Sequence, residues 1–455
     1  MHPREGGKKI FGRPVSRRDF LRRSAAAAAG IPMASGLLAA CGPNPKSDAA
    51  SEAPLVHPAR KNNPVDYSKY ADPSKLIQPG LKNEGGPLEI FNWEGYINPR
   101  IVGMFEDQFG VKVNITTFAT MVDAITRLTT RAQTYDIFMG LTKDFVGRCI
   151  ILGLLRPLQH SYVPNLANVW DSLSGVGADK NAPFYDVGSN FTVPYTTYTT
   201  GLGYRIDKGP TDHIAVNLAP LEEQVPAMDN PYDLLWDPKY KGYSHMLDDY
   251  REALGMAMLR RGRFDVNTDD PKTRDQYIND ARDDLVEAMR SVGTKFDVND
   301  YVDLPEGRAY VHQSWSGDLP SIQYYYPSWS QRDMIRYWYP PDHKGVIGGD
   351  TIAILADGKN PVLSHTFMNY MLDFENSMIN FKWMGYAPPL KKVNSPTMLV
   401  KGAPDAIPEY AVVPPGLANC VPSEDDFKIG VQLLELPSEA DKLWKDAWEV
   451  VQTTT

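Results

Sequence analysis

Apolar positions first fall into a regular pattern at Leu88. The run LEIFNW is the short apolar segment of a buried strand. Asn98-Pro99 reads as an N-cap followed by proline in a first helical turn. Ile101, Met104, Phe105 and Phe109 then recur at helical spacing until Gly110 stops them. VKVNITTF alternates as a strand, a helix is expected over 122–132, and YDIFMG is a third strand. Strand, helix, strand, helix, strand predicts a parallel sheet with crossover helices.

The pattern continues in a second unit. FTVPYTTYTTGLGYRID (191–207) reads as extended chain that passes from one unit to the other. NPYDLLWDPKYKG (230–242) is a short helix and turn, HML leads into helices over 250–261 and 272–290, and AYVHQSW (309–315) is a strand. GVIGGDTIAIL (345–355) reads as one strand returning to the first unit; residues 361–386 read as helical almost throughout, and a last helix begins near Pro437. The expected fold is α/β, with two hinge-linked lobes and mixed, mainly parallel sheets. Lobe one is expected over 88–196 and 349–395, lobe two over 197–348 and 396–455.

Ahead of this, Ser16-Arg17-Arg18-Asp19-Phe20-Leu21 is a twin-arginine export pattern, followed by a mild apolar region broken by Gly30, Pro32 and Gly36. It ends in Leu38-Ala39-Ala40-Cys41, which resembles a lipoprotein cleavage box, so Cys41 is expected to become a lipidated N-terminus. The expected location is the cell envelope, lipid-anchored on the outer face of the cytoplasmic membrane, or the periplasm. Residues 41–87, rich in Pro, Ser, Asn and Lys, are expected to be a spacer. Residues 1–40 hold eight basic and two acidic residues, so their removal takes the net charge from −9 to −15. That charge disfavours nucleic acid and anionic surfaces as partners. Cys149 and Cys420 read as one disulfide or, the commoner case, two buried thiols.

Ligands of open parallel sheets sit beyond the carboxyl ends of strands. At those points lie Trp93-Glu94-Gly95-Tyr96, Asp248-Asp249, Trp315-Ser316-Gly317-Asp318 and Gly349-Asp350. Aromatic faces attract ammonium groups by about 0.5–2 kcal/mol each, and carboxylates pair with them through charge-assisted hydrogen bonds. A cleft so lined suits an organic cation such as an aliphatic polyamine. Enzyme signatures are weak: no two of the eight histidines stand at HxxxH spacing, and GxSxG, P-loop and GxGxxG motifs are absent. No metal or cofactor is expected.

LDDYREALGMAM (247–258) has two readings. Asp249 and Glu252 form a capping-box pattern, in which Glu252 folds back on the backbone, with Asp248 as the alternative cap. The same pair reads as the acidic jaw of a cation clamp.

The pieces FNWEGY (91–96), YDIFMG (135–140), VPYTTYTTGLGY (193–204), YDLLWDPKYKG (232–242), LDDYREALGMAM, QSWSGD (313–318), GGDTIAI (348–354) and MGYAPP (384–389) resemble, in order and spacing, the solute-binding proteins of polyamine (spermidine/putrescine) ABC transporters. The resemblance covers about 88–395 and, loosely, the remainder. It implies a type II periplasmic-binding-protein fold, a monomer that traps a cation between its lobes, and delivery to a permease. It implies ligand contacts at Trp93, Tyr96, Asp249, Glu252, Trp315, Asp350 and Tyr386. Two departures stand out. Leu141-Thr142-Lys143 replaces the usual Ser and aromatic, with Lys143 expected in solvent. Gly348 replaces an aromatic ring, which is expected to widen the site. The alternatives are another organic cation or amino-acid-like solute on the same fold, and an envelope glycan or peptide hydrolase.

Overall fold

The computed structural model describes residues 58–454 apart from 132, 178, 180, 208–220 and 326–333. The export pattern and Cys41 lie outside the described residues. In chain order the strands are β1 Leu88–Trp93, β2 Val113–Phe118, β3 Ile137–Thr142, β4 Thr192–Pro194, β5 Tyr198–Arg205, β6 Ser244–Leu247, β7 Lys295–Asp297, β8 Val311–Trp315, β9 Ile335–Trp338, β10 Val346–Gly348, β11 Asp350–Ile354 and β12 Val431–Gln432. One sheet has the order β2-β1-β3-β11-β4, with β1 parallel to β2 and β3, and β11 antiparallel to its neighbours. The other has the order β12-β10-β5-β8-β6-β7, with β9 also paired to β5.

The parallel unit at the start forms as its apolar pattern predicts. Asn98 caps the helix Pro99–Phe109, its side chain accepting the Arg100 N–H, and Gly110 ends it at φ 67°. Ile101 and Phe105 face the sheet, and Phe105 packs edge-on against Phe367, 5.0 Å between ring centres. The second sheet packs Leu202, Met246 and Val311 against Leu254, Ala257, Leu285 and Trp444.

Three expected continuous elements are broken. Residues 345–355 form two strands in different sheets, β10 and β11, with Gly349 between them. Residues 191–207 likewise divide into β4 and β5. These passages run side by side and hold each other. The N–H groups of Tyr195 and Thr196 donate to the Asp350 carbonyl at 2.8 and 3.3 Å, and the Asp350 N–H donates to the Thr196 carbonyl at 3.2 Å. The long helical stretch is also two helices, Pro361–Met371 and Phe374–Met384, because the Asp373 side chain caps the second by accepting the Asn376 N–H. A further helix, Lys143–Ile151, follows β3 directly, and its apolar pattern is too short to announce it.

The spacer expectation does not describe residues 58–87, which lie strapped along the folded body. Tyr67 is buried against Gly147. Arg60 donates to the Glu435 carbonyl at 3.0 Å, Lys75 to the Ala356 carbonyl at 3.0 Å, and Glu84 accepts the N–H of Leu363 at 2.8 Å. Residues 396–421, expected with the second unit, also meet the helix Phe374–Met384: Tyr410 packs on Phe374 at 5.6 Å, and Lys382 donates to the Glu409 carbonyl at 2.8 Å. Cys149 and Cys420 are buried free thiols. No described helix is long and apolar enough to cross a membrane.

Gly349 has no room for a side chain. A Cβ there would lie 2.5 Å from the Thr196 carbonyl oxygen and 2.9 Å from Lys143 Nζ. Gly349→Ala is therefore expected to destabilise the fold by about 1–3 kcal/mol in urea unfolding; an unchanged midpoint would show that the passage yields freely.

Candidate functional site

The passages between the sheets collect most of the residues singled out from the sequence. Asp350 opens β11 and is 6% exposed. Its Oδ2 accepts the Tyr96 hydroxyl at 2.6 Å, and that hydroxyl also lies 2.7 Å from Thr196 Oγ1. Its Oδ1 is buried and has no hydrogen-bond partner.

From Tyr96 a file of rings leads to the second sheet. Tyr96 meets Tyr386 edge-on at 5.3 Å, Tyr386 meets Tyr198 at 5.8 Å, and Tyr198 meets Trp315 at 6.4 Å. The Trp315 indole N–H donates to Glu252 Oε1 at 2.9 Å, and Thr200 Oγ1 donates to the same oxygen at 3.1 Å. Glu252 Oε2 is buried without a partner. Each end of the file thus carries a buried carboxylate with one oxygen engaged and one bare. An unpaired buried acceptor is costly, and a cationic donor at either oxygen would relieve that cost.

The conflict at the helix Tyr250–Arg260 resolves by division of roles. Asp249 is the N-cap, its Oδ1 accepting the N–H groups of Arg251 and Glu252 at 2.8 and 3.0 Å. Asp248 is not the cap; its Oδ1 accepts from the Gln452 side chain at 3.1 Å. Glu252 does not fold back as in a capping box, and it is left to face Trp315. Arg251, between them, turns into the core and lays its guanidinium 4.3 Å from the Trp444 ring.

Trp93 stands apart from the file. Its indole N–H donates to the Gly140 carbonyl at 2.8 Å, and its ring packs on Phe118 at 4.6 Å. Gly140, at φ 78°, is required here because a Cβ would come within 2.4 Å of the indole. Asp318 is the first residue of the helix Asp318–Tyr325. Its charge, after burial itself, raises the carboxyl of the fully buried Asp300.

Two expectations fail. Lys143 is not in solvent. It is 6% exposed, its ammonium lying 4.7 Å from the Phe427 ring and 5.6 Å from the Tyr185 ring, with Nζ making no hydrogen bond. The helix that starts at Lys143 carries it inward beside Asp350, whose charge opposes the effect of burial on it. Gly348 does not widen the site either. It pairs in register with Tyr198, whose ring fills the space of a side chain at 348, 2.2 Å from where a Cβ would stand. Tyr198 and Thr200 belong to the YTTYTT stretch; its alternation of ring and hydroxyl was the available signal, but the strand that it would face was not known from the sequence.

Burial dominates the electrostatics. It pushes Asp350 up to about 7 against the Tyr96 hydrogen bond and the Lys143 charge. It pushes Glu252 up to about 8, with Asp249 adding to the shift and the Trp315 and Thr200 hydrogen bonds opposing it. Burial also raises Asp249 and Asp144, and lowers Lys143 to about 7. Four acids share this region with two buried cations, Lys143 and Arg251.

Comparison with known proteins gives a consistent picture. A model of the bacterial extracellular solute-binding protein family matches residues 100–407. The putrescine-binding periplasmic protein PotF of Escherichia coli K12 is 26% identical over 298 residues, covering 64% of this chain and 75% of that protein. The spermidine/putrescine-binding periplasmic protein of the same organism is 25% identical over 308 residues, 68% and 78% of the two chains. Among solved structures, a putative spermidine/putrescine ABC transporter protein from Listeria monocytogenes superposes with a TM-score of 0.62 at 21% identity, covering 81% of this chain and 99% of that one. The TpPotD lipoprotein of Treponema pallidum gives 0.61 at 20% identity, covering 80% and 98%. At those identities the structural likeness is one of fold.

The Glu252 shift has a sign that unfolding can read. Its folded value, about 8, lies above the ordinary 4.5, so the folded protein holds a proton that the unfolded chain releases. That contribution is full below about 4.5 and lost as pH rises through about 8. Relative to the native chain, Glu252→Gln should therefore gain stability between about pH 5 and about pH 8, by on the order of 1–3 kcal/mol. Urea midpoints at the two pH values check this; a constant difference would mean that Glu252 is ionised throughout.

Proposed function

The chain belongs to the bacterial extracellular solute-binding protein family, and we propose that it captures a polyamine-like organic cation between its two lobes and delivers it to an ABC transporter permease. The family is one of transport proteins rather than enzymes, and the fold is the two-lobe α/β periplasmic-binding-protein type. The observation that carries the proposal is the ring file with a half-engaged carboxylate at each end. A chain of methylenes covers ring faces, and its terminal ammonium groups pair with carboxylates. The names of these relatives, putrescine-binding and spermidine/putrescine-binding, support the same ligand class.

In this reading Tyr96, Tyr386 and Trp315 are the ring contacts, Asp350 and Glu252 take the ammonium groups, Asp249 adds charge from the cap, and Trp93 supports the first-lobe wall. Lobe one is 88–196 with 349–395, and lobe two is 197–348 with 396–455. Closure is a hinge motion about the passages at 195–197 and 349. Lipidation at Cys41 would hold a monomer at the membrane surface.

A second reading, an amino-acid-like or other organic cation, is favoured by Lys143. This buried ammonium beside Asp350 already supplies one positive charge, and it would suit a ligand carboxylate.

Calorimetry with putrescine, cadaverine and spermidine tests the leading reading, and no heat with any of them would sink it. Asp249→Asn is the informative variant, because asparagine caps a helix as well as aspartate does. It should weaken binding by about 2–5 kcal/mol, whereas a change near zero would make Asp249 a cap alone. Lys143→Met separates the two readings. If the ligand is a polyamine, removing the competing charge should tighten putrescine binding about tenfold or more, roughly 1.4 kcal/mol. If binding of an amino-acid-like solute is lost instead, Lys143 serves the ligand's carboxylate.

A further inference from the structure

A second constellation lies in the sheet of β5–β8, built from residues that the cleft does not use. His245 on β6 stands in parallel register with His312 on β8 and Lys295 on β7. Side chains in register share a face, and Asp297, two residues beyond Lys295, returns to that face. The helix Asp300–Glu306 adds Asp303. One donor atom from each of His245, His312, Asp297 and Asp303 lies within 4.8 Å of every other.

The distances suit a shared centre. His245 Nδ1 is 2.8 Å from Asp297 Oδ2 and 3.3 Å from Asp303 Oδ2, and His312 Nε2 is 3.2 Å from Asp297 Oδ1. Tetrahedral zinc with bonds of about 2.0–2.2 Å sets neighbouring donors about 3.3 Å apart. Both rings are deeply buried, His245 at 2% and His312 at 0% exposure.

The surroundings orient these donors. The Gln313 carbonyl lies 2.5 Å from His312 Nδ1 and can only accept, so Nδ1 carries a proton, and in the neutral ring Nε2 presents its lone pair to the Asp297 carboxylate. Two acceptors then face each other and require a positive charge between them. His245 sharpens the point. Asp297 is close to its Nδ1 but off the N–H direction, and neither ring nitrogen makes an aligned hydrogen bond. Asp297 Oδ1 also accepts the Asn299 N–H at 2.8 Å, and Asp303 Oδ1 pairs with Arg308 Nε at 2.6 Å. The ligating carboxylates are themselves held, as the outer shell of a metal site requires.

We propose that His245, His312, Asp297 and Asp303 form a binding site for a late first-row divalent cation, Zn2+ foremost. Two imidazoles and two carboxylates are a compact four-donor set that matches zinc, and they are too few oxygens for calcium or magnesium. The ion would tie β6, β7 and β8 to the helix Asp300–Glu306. That helix also carries Asp300, whose carboxyl interacts with Asp318 beside the Tyr386 ring, so the ion would brace the second-sheet wall of the cleft.

The test uses tag-free protein stripped with EDTA and then given ZnCl2 alone. The expected result is one zinc retained per chain after desalting, with a melting temperature raised by about 3 °C or more at a hundredfold excess over Kd. CoCl2 alone should give the intense visible absorption of a tetrahedral Co2+ centre. His312→Gln and, as a milder second variant, Asp303→Asn should each abolish retention and the cobalt spectrum. No retained zinc and no thermal shift in the native chain would overturn the proposal in favour of protonated histidines between the two carboxylates. A response that survives in both variants would place the ion elsewhere.

Discussion

The candidate site depends on one constraint: Asp350 is a buried acid placed where the backbone passes between sheets. Its N–H and carbonyl are bonded to Thr196, Tyr195 and Thr196 again, so they fix the passage. Its carboxylate is held in turn by the Tyr96 hydroxyl. Burial then raises its pKa to about 7, and the protein meets the cost with a tyrosine hydroxyl and a nearby lysine rather than with a full ion pair. In the proposed reading, a charged ligand at such a place would act directly on the segment about which the lobes would turn.

The opposite end of the ring file follows the same logic by other means. Asp249 spends one oxygen on the helix cap, which frees Glu252 from the backbone. Trp315 and Thr200 orient the Glu252 carboxylate through one oxygen only. The first turn of a helix favours a carboxylate, yet burial and the neighbouring Asp249 outweigh that and hold the proton on Glu252 at neutral pH. In the proposed reading, cation uptake at either end would release a proton as well as pair charge.

Much of this was legible in the sequence because it rests on local rules. Apolar periodicity located the strands and most helices, and acids with aromatics at strand ends marked Tyr96, Trp315 and Asp350. What escaped was set by tertiary pairing. Lys143 looked solvated because nothing local shows that the helix after β3 turns it inward. Gly348 looked like a missing ring because its register with Tyr198 is a long-range fact. The His245 and His312 rings meet across neighbouring strands, whereas a search for spaced ligands on one helix examines only local neighbours. The break at Gly349 within an apolar run was invisible to periodicity, since both halves are strands.

The segment 58–87 gives the molecule a further connection beside the passages of the main body of the chain. Arg60 is fastened near Glu435, behind the second sheet, and Lys75 and Glu84 near Ala356 and Leu363, behind the first. Rotation of one sheet against the other must therefore either carry this strap along or peel one end away. Either outcome makes the strap a brake on any change in the angle between the sheets, independent of the ring file.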